Sequence, residues 1–431
     1  MRSVIAMVAL VAHYPVAQAA TLEEAVTAAQ TRSHSVGMVH QQRIIAQAQL
    51  GQVRFSLLPS VFVNGSYTVN QFEITMDPSE WIPEEFAGAF GEGTDPTIIQ
   101  EKDYFAANLR VDQTLFDART LPGLKAANEN LAAAHAAEQR AERLMKAQVA
   151  QMAYGVQAAR DGTALAKRGL AMAQVQLDLA DARKDLGGSS RRDHLQAQLA
   201  LSKTKRDLRS AEEYQADLEL VFSQLTGFER NVPLDLKVSL ALPSSLEEAL
   251  SQARTQRQDL ISARATEASA HAVHRATRWS FMPRVTASFL TNYTENTMFT
   301  DESLSWMGLV NAQFALWDGG RTRAQKSMER AKWQMATHGA EQALEKVERE
   351  VEQAWSSLAR AKQAVEAVGL EVSLATENLA LSEAALSTGG ASWVDVERSR
   401  LGLQAAEMAS LRERTAQRMA EVGLLVATGQ Y

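Results

Sequence analysis

Few residues in this chain are spaced for chemistry, and those that are point to hydrogen bonding rather than catalysis. His271 and His274 stand three apart and would share a helical face, as two histidines of a metal or acid–base site can, but no carboxylate or cysteine cluster completes one. The ordinary role of such a pair is to face solvent or a core. The chain has no cysteine, which removes disulfides, thiolate ligands, a thiol nucleophile and an N-terminal lipid-modified cysteine. No Gly-rich phosphate loop is present, and no Ser-His-Asp arrangement follows from spacing. No catalytic residue, metal site or cofactor is expected, and the chain does not read as an enzyme. What recurs is Gly-x-x-Ser-x-x-Asp. Gly187, Ser190 and Asp193 form one copy, and Gly389, Ser392 and Asp395 form the other, 202 residues later. Glycine tolerates the left-handed conformation that ends a helix, and serine caps the next one. Asp117 and Asp318 each follow an apolar pair, Leu115-Phe116 and Leu316-Trp317, at a strand-to-helix switch. Each is expected as an N-cap, its carboxylate accepting backbone donors and favouring the helix dipole.

The elements that position these residues follow from composition and pattern. The chain has 431 residues, 6% of them aromatic, and a net charge of −7. Its length allows a large buried surface, and its Ala-, Leu-, Gln- and Glu-rich segments suit long helices and coiled coils. No basic domain stands apart, so no nucleic-acid partner is expected. Arg2, the apolar run Val4 to Ala12 and the small-x-small site Ala17-Gln18-Ala19 read as a signal peptide over residues 1–19. Thr21-Leu22-Glu23-Glu24 opens the mature chain with a capping box. Ser245-Leu246-Glu247-Glu248 opens it again 224 residues later, and Pro59 is matched by Pro283 at the same offset. These coincidences predict two repeats, residues 20–243 and 244–431.

Each repeat predicts a strand pair followed by a long helical hairpin. The first pair covers about 60–115, with Val61, Val63, Gly65, Tyr67 and Val69 on one face and Phe105, Ala107, Leu109 and Val111 continuing it. The second covers about 284–316, with Val285, Ala287, Phe289, Trp306, Val310, Ala312 and Phe314 on the apolar face. Such alternation suits either a sheet packed on one side or lipid-facing barrel strands with a wet lumen. Strand length, the export signal and the aromatics Tyr67, Tyr293 and Trp306 near strand ends favour the barrel. Four strands cannot close one, since about eight are needed, so the barrel is expected to be shared among chains. The hairpins are predicted at about 118–226 and 319–428. The first long helix, to about Leu186, would rise on the order of 100 Å. Met145, Val149, Met152, Val156 and Ala159 form its heptad seam, and Gly155, Gly162 and Gly169 would permit close helix approach. Between the repeats, Asn231 to Pro243 alternates like a short strand.

Together these features resemble the TolC-like outer-membrane efflux proteins, the outer membrane factor family. The resemblance rests on the duplicated Leu-Glu-Glu-Ala starts, Pro59 and Pro283, Leu115-Phe116-Asp117 with Leu316-Trp317-Asp318-Gly319-Gly320-Arg321, and both Gly-x-x-Ser-x-x-Asp tips. It implies a homotrimer whose chains give four strands each to a twelve-stranded outer-membrane β-barrel, continued by a helical coiled-coil barrel across the periplasm of a Gram-negative bacterium. It further implies an export duct of a tripartite efflux or type I secretion system, fed by an inner-membrane pump of RND or ABC type through a periplasmic adaptor. By the same resemblance, Gly187, Ser190, Asp193, Gly389, Ser392 and Asp395 are the adaptor-docking tips, and Glu377 and Glu383 lie near a periplasmic gate. Arg191-Arg192 replace residues that are commonly apolar at the first tip, which would narrow the choice of adaptor. A periplasmic coiled-coil scaffold without a pore is the competing expectation.

Overall fold

The computed structural model describes residues 20–76, 97–185, 191–236, 241–297 and 302–431. Residues 1–19, expected as a signal peptide, the acidic residues from Asp77 to Asp95, and Gly187 and Ser190 of the first tip lie outside them. The chain divides into two compact units.

One unit combines Ile44–Ala133 with Arg264–Gly339. It holds an antiparallel four-stranded sheet made of β2 (Ser60–Val69), β5 (Asp103–Phe116), β7 (Arg284–Thr294) and β8 (Leu304–Gln313), in the order β2-β5-β7-β8. Pro59 and Pro283 precede β2 and β7, where a missing backbone donor breaks no ladder bond. The register aligns Val61 with Val111, Val63 with Leu109, Val111 with Phe289 and Thr291 with Trp306. Both predicted apolar rows therefore share one face. The opposite face carries Asn64, Asn108, Asp112 and Ser288, with Asn64 Nδ2 donating to Asn108 Oδ1 at 2.9 Å and Ser288 Oγ to Asp112 Oδ1 at 2.7 Å. Two details differ from the alternation. Phe62, Leu290, Met307 and Leu309 interrupt this polar face, and Phe314 falls beyond β8, which ends at Gln313. A small hairpin of β3 (Ile74–Met76) and β4 (Thr97–Gln100) stands between β2 and β5 in the chain.

In the same unit run the C-terminal part of α2 (His34–Phe55) and the starts of α3 (Thr120–Asp185) and α7 (Arg321–Ser387). The end of α6 (Gln258–Ala276), extended by a turn of 3-10 helix to Trp279, completes it. Alanines at the contact let α3 and α6 approach closely, and the buried Ser269 hydroxyl donates to Ala126 O at 3.0 Å.

The other unit holds the remaining described chain up to Arg43, Ala134–Ala263 and Ala340–Tyr431. Here α1 (Leu22–Arg32), α4 (Arg191–Thr226), α5 (Leu246–Gln256) and α8 (Trp393–Thr428) join the bodies of α3 and α7. Thr21 forms a reciprocal capping box with Glu24. Ser245 accepts from the Glu248 amide, but the Glu248 carboxylate turns to the amide and hydroxyl of Ser244 instead. Of the Asn231–Pro243 segment expected as a strand, Leu234–Asp235 forms β6, which pairs in parallel with β1 (Ala20–Thr21), and residues 237–240 lie outside the described part. The heptad seam is core: Val149 and Val156 are fully buried and pack with Leu22 and Val26 of α1, Phe222 of α4 and Val422 of α8. Burial of each such side chain contributes about 1.5–3 kcal/mol. Helices α4 and α8 end at Gly227 and Gly429, both with positive φ.

A second core of Ala249, Ala253, Leu260, Val347 and Val351 is bordered by Arg257, which is 1% exposed. Its guanidinium donates to Asp259 at 2.6 and 2.8 Å, to Glu350 at 2.6 Å and to Ala427 O at 3.2 Å. Burial works to raise the Asp259 carboxyl, but hydrogen bonding and charge pairing with Arg257 outweigh it and hold the group below the usual carboxylate range. A depressed carboxyl contributes stability that is complete above the unfolded value, about 3.9, and lost as pH falls through the folded one. Arg257→Met should destabilise the protein by on the order of 2–3 kcal/mol, discounted for the part-exposed carboxylates. The measurement is the urea midpoint of the solubilised protein. A pH series should show the wild type losing stability below about pH 4 and the variant lacking that step. Equal midpoints at neutral pH would discard the triad as a stabilising element.

Candidate functional site

The second tip is built by local hydrogen bonding. Helix α7 ends at Ser387, and Gly389 takes φ +79°. The amides of Gly389 and Gly390 return to Leu386 O at 3.2 Å and Ala385 O at 2.8 Å, closing the helix end. Ser392 then caps α8: its hydroxyl accepts from the Asp395 amide at 3.3 Å, and its own amide donates to Asp395 Oδ2 at 3.0 Å. Hydrogen bonds from the Ser392 hydroxyl and amide hold the Asp395 carboxyl below its usual range, helped by Arg398. Gly389, Ser392 and Asp395 thus form one rigid turn. Of the first tip, the backbone of Asp193 lies in the first turn of α4. Its side chain, Gly187 and Ser190 lie outside the described part.

Above the second turn, polar side chains join α7 to α8. Asn378 Nδ2 donates to Ser399 Oγ at 3.1 Å, and the Ser382 and Ser399 hydroxyls meet at 2.8 Å. Arg400 Nη2 donates to Glu383 Oε1 at 2.8 Å. Glu383 is therefore engaged across its own hairpin. Glu377, six residues earlier and exposed, points about 120° away around the helix. The two acidic residues do not share a face.

Arg400, Ser399 and Asn378 were not singled out from the sequence. With the turn centred between Ala391 and Ser392, Glu383 and Arg400 lie equally far on either side and could have been paired on that basis. Glu397, three residues before Arg400 on α8, has one carboxylate oxygen buried without a partner. Burial raises its carboxyl, opposed by Arg400 and by a hydrogen bond from Gln176 of α3. It borders a groove of about 800 Å³ between α3, α4 and α8, walled by Leu165, Met172, Leu199, Leu401 and Met408. Gly155, Gly162 and Gly169 of α3 face α8: a Cβ on Gly162 would touch Leu411 at 3.8 Å, and one on Gly169 would meet the Gln404 amide at 2.5 Å.

The strand-to-helix junctions depart from simple capping. Helix α3 starts at Thr120, two residues later than the sequence pattern places it. The Asp117 carboxylate accepts from the Arg119 amide at 2.9 Å and binds the Arg119 guanidinium at 2.9 and 3.0 Å. Asp117 is thus an Arg-anchored turn, because an adjacent cation outcompetes more distant amides for its oxygens. Helix α7 starts at Arg321, after Gly319 and Gly320, both with positive φ. Asp318 still reaches the helix, accepting from Thr322 N at 2.7 Å and Gly320 N at 3.0 Å. Hydrogen bonding from Thr322 and Gly320 lowers its carboxyl pKa. His271 and His274 both pack against Trp333, with ring centroids at 4.8 and 5.7 Å.

Known proteins place this architecture. Among curated proteins none matches the sequence. The fold is similar to that of the channel CusC, with a TM-score of 0.78 at 19% identity over 95% of this chain and 92% of CusC. It is similar to VceC of Vibrio cholerae, with a TM-score of 0.74 at 18% identity over 95% of this chain and 96% of VceC. It is also similar to the open-state outer membrane channel MtrE of Neisseria gonorrhoeae, with a TM-score of 0.72 at 18% identity over 95% and 88% of the two chains. At such identities the likeness carries the fold alone. The model of the family described as outer membrane efflux protein matches residues 25–227 and 249–430. With both halves matched, the chain belongs to the outer membrane efflux protein family.

Proposed function

We propose that this protein is the outer-membrane exit duct of a tripartite efflux or type I secretion assembly. In this reading it gives cargo from an inner-membrane pump, of RND or ABC type, a passive route outward through a periplasmic adaptor. The observation that carries the reading is the four-stranded sheet, apolar along one face, with β2 and β8 as its edges. In hydrocarbon an unpaired edge costs several kcal/mol per exposed backbone group, so such a sheet must close with other copies. Three chains would supply twelve strands. The 66- and 67-residue helices α3 and α7 would each rise about 100 Å, a length suited to crossing a periplasm. The duplication of the chain belongs to the same proposal: a helix, strand-pair and hairpin succession occurs in each half. Recovery in outer-membrane fractions, heat-modifiable migration and discrete conductance in planar bilayers are expected. A soluble monomer after signal removal would sink the duct and favour the scaffold.

The tips are proposed as the adaptor contact. Replacing Ser190 and Ser392 together with Trp should abolish export while trimers persist. The Asn pair, which keeps a capping oxygen, should retain export. Normal export by the Trp pair would reject docking there. For the gate, Glu377→Gln with Glu383→Gln should raise single-channel conductance. Arg400→Gln alone should change stability by less than about 1 kcal/mol, since the Glu383 carboxylate of the pair it breaks is half exposed and screened by water. Unchanged conductance in the glutamine pair would remove both acids from the constriction.

A further inference from the structure

Beside the sheet, in the same compact unit, a cavity of about 200 Å³ opens between α3 and the end of α6. Leu121, Pro122 and Lys125 line it from α3, and His271, Arg275 and Trp279 from α6 and its 3-10 extension. His271, Arg275 and Trp279 are four apart in sequence, so they form one stripe, as do Leu121 and Lys125. Lys125 and Arg275 are both exposed, and neither forms an ion pair among the described residues. In a chain of net charge −7, two unpaired cations beside one cavity are a local reversal of sign. The nearby buried His274 is held below the usual histidine range by burial and by the charges of Arg278, His271, Lys326 and Arg330.

The apolar side of the cavity continues toward the strands. Leu121 is 76% exposed, and Trp279, Phe281 and Met282 are all exposed just before β7 begins at Arg284. A cationic cradle next to an exposed apolar and aromatic wall fits a molecule with a phosphate at one end and hydrocarbon at the other. An indole ring suits that boundary, with an apolar body and a polar edge. Free phosphate would use the cations and leave the wall bare.

We propose that this cavity binds the phosphodiester headgroup of an anionic phospholipid of the periplasmic leaflet. Lys125 and Arg275 face the phosphate, and the acyl chains lie along Leu121, Trp279 and Phe281 toward the sheet. The physiological setting rests on the outer-membrane duct reading, whereas the binding itself does not.

The test is native mass spectrometry of the full-length protein in nonionic detergent, titrated with phosphatidylglycerol or phosphatidylcholine. The wild type should retain phosphatidylglycerol in preference. Lys125→Gln with Arg275→Gln should lower that retention roughly tenfold or more, from the loss of two surface cations. Lys125→Arg with Arg275→Lys should preserve it, and millimolar inorganic phosphate should not displace the lipid. Equal retention by the wild type and the glutamine pair, no preference between the two lipids, or displacement by phosphate would each overturn the proposal. Cell fractionation tells the two readings apart: absence from the outer membrane refutes the duct and leaves the detergent result to decide the cavity.

Discussion

The pairing of β5 with β7 is the constraint on which the sheet and its surroundings depend. It joins strands from the two halves of the chain, aligning Ala107 with Tyr293 and Val111 with Phe289. A slip of one residue would move every side chain of one strand to the opposite face. The polar face resists that slip, because Asp112 meets Ser288 across the pair and Asn108 meets Asn64 on the other side. The same register decides what lies beside the sheet. Strand β5 leads into α3 while α6 leads into β7, so the start of one helix and the end of the other are held together and bonded through Ser269 and Ala126. Lys125 lines one cavity with Arg275 and Trp279 only as a consequence.

The second unit is held by a different device, small residues on long helices closed by short ones. Alanine and glycine on α3 let α8 approach, while α1 adds Leu22 and Val26 to the core around Val149 and α5 adds Ala249 and Ala253 to the core around Val351. Two arginines there are paired, while one buried Glu397 oxygen is left without a partner. Arg257 has carboxylates and a carbonyl around it, and Arg160 joins Glu219 at 2.7 Å between α3 and α4. Tyr431 packs into the core with Lys146 5.2 Å from its ring centroid, and burial beside Tyr154 pushes its hydroxyl up to about 12. A neutral phenol is what such a site accommodates, since an ionised one would be desolvated without a partner.

Legibility in the sequence followed the range of the interaction. Alternation in β2, β5 and β7 and the heptad seam at Val149 and Val156 are periodic, so they could be read residue by residue. The Thr21–Glu24 box spans three residues and was equally plain. Asp117 accepts from a backbone amide at its junction, that of Arg119, but the guanidinium of the same residue, which also binds it, does not follow from a capping pattern. Phe62 and Leu290 sit as apolar residues on the polar face because face polarity is an average and individual positions on it are not constrained.

The sequence by itself determined the element order, the apolar face of each strand, the long helices and the composition of the turns. Each of these depends on neighbours within a few residues, or on a repeating pattern that sterics of the backbone impose. Only the tertiary structure decided that Glu383 faces Arg400 while Glu377 does not, that Arg257 sits among Asp259 and Glu350, and that Lys125 stands with Arg275 at one cavity. Those pairings depend on helix phase and on strand register between segments far apart in the chain. A few degrees per residue or a one-residue shift would break them without altering any local pattern.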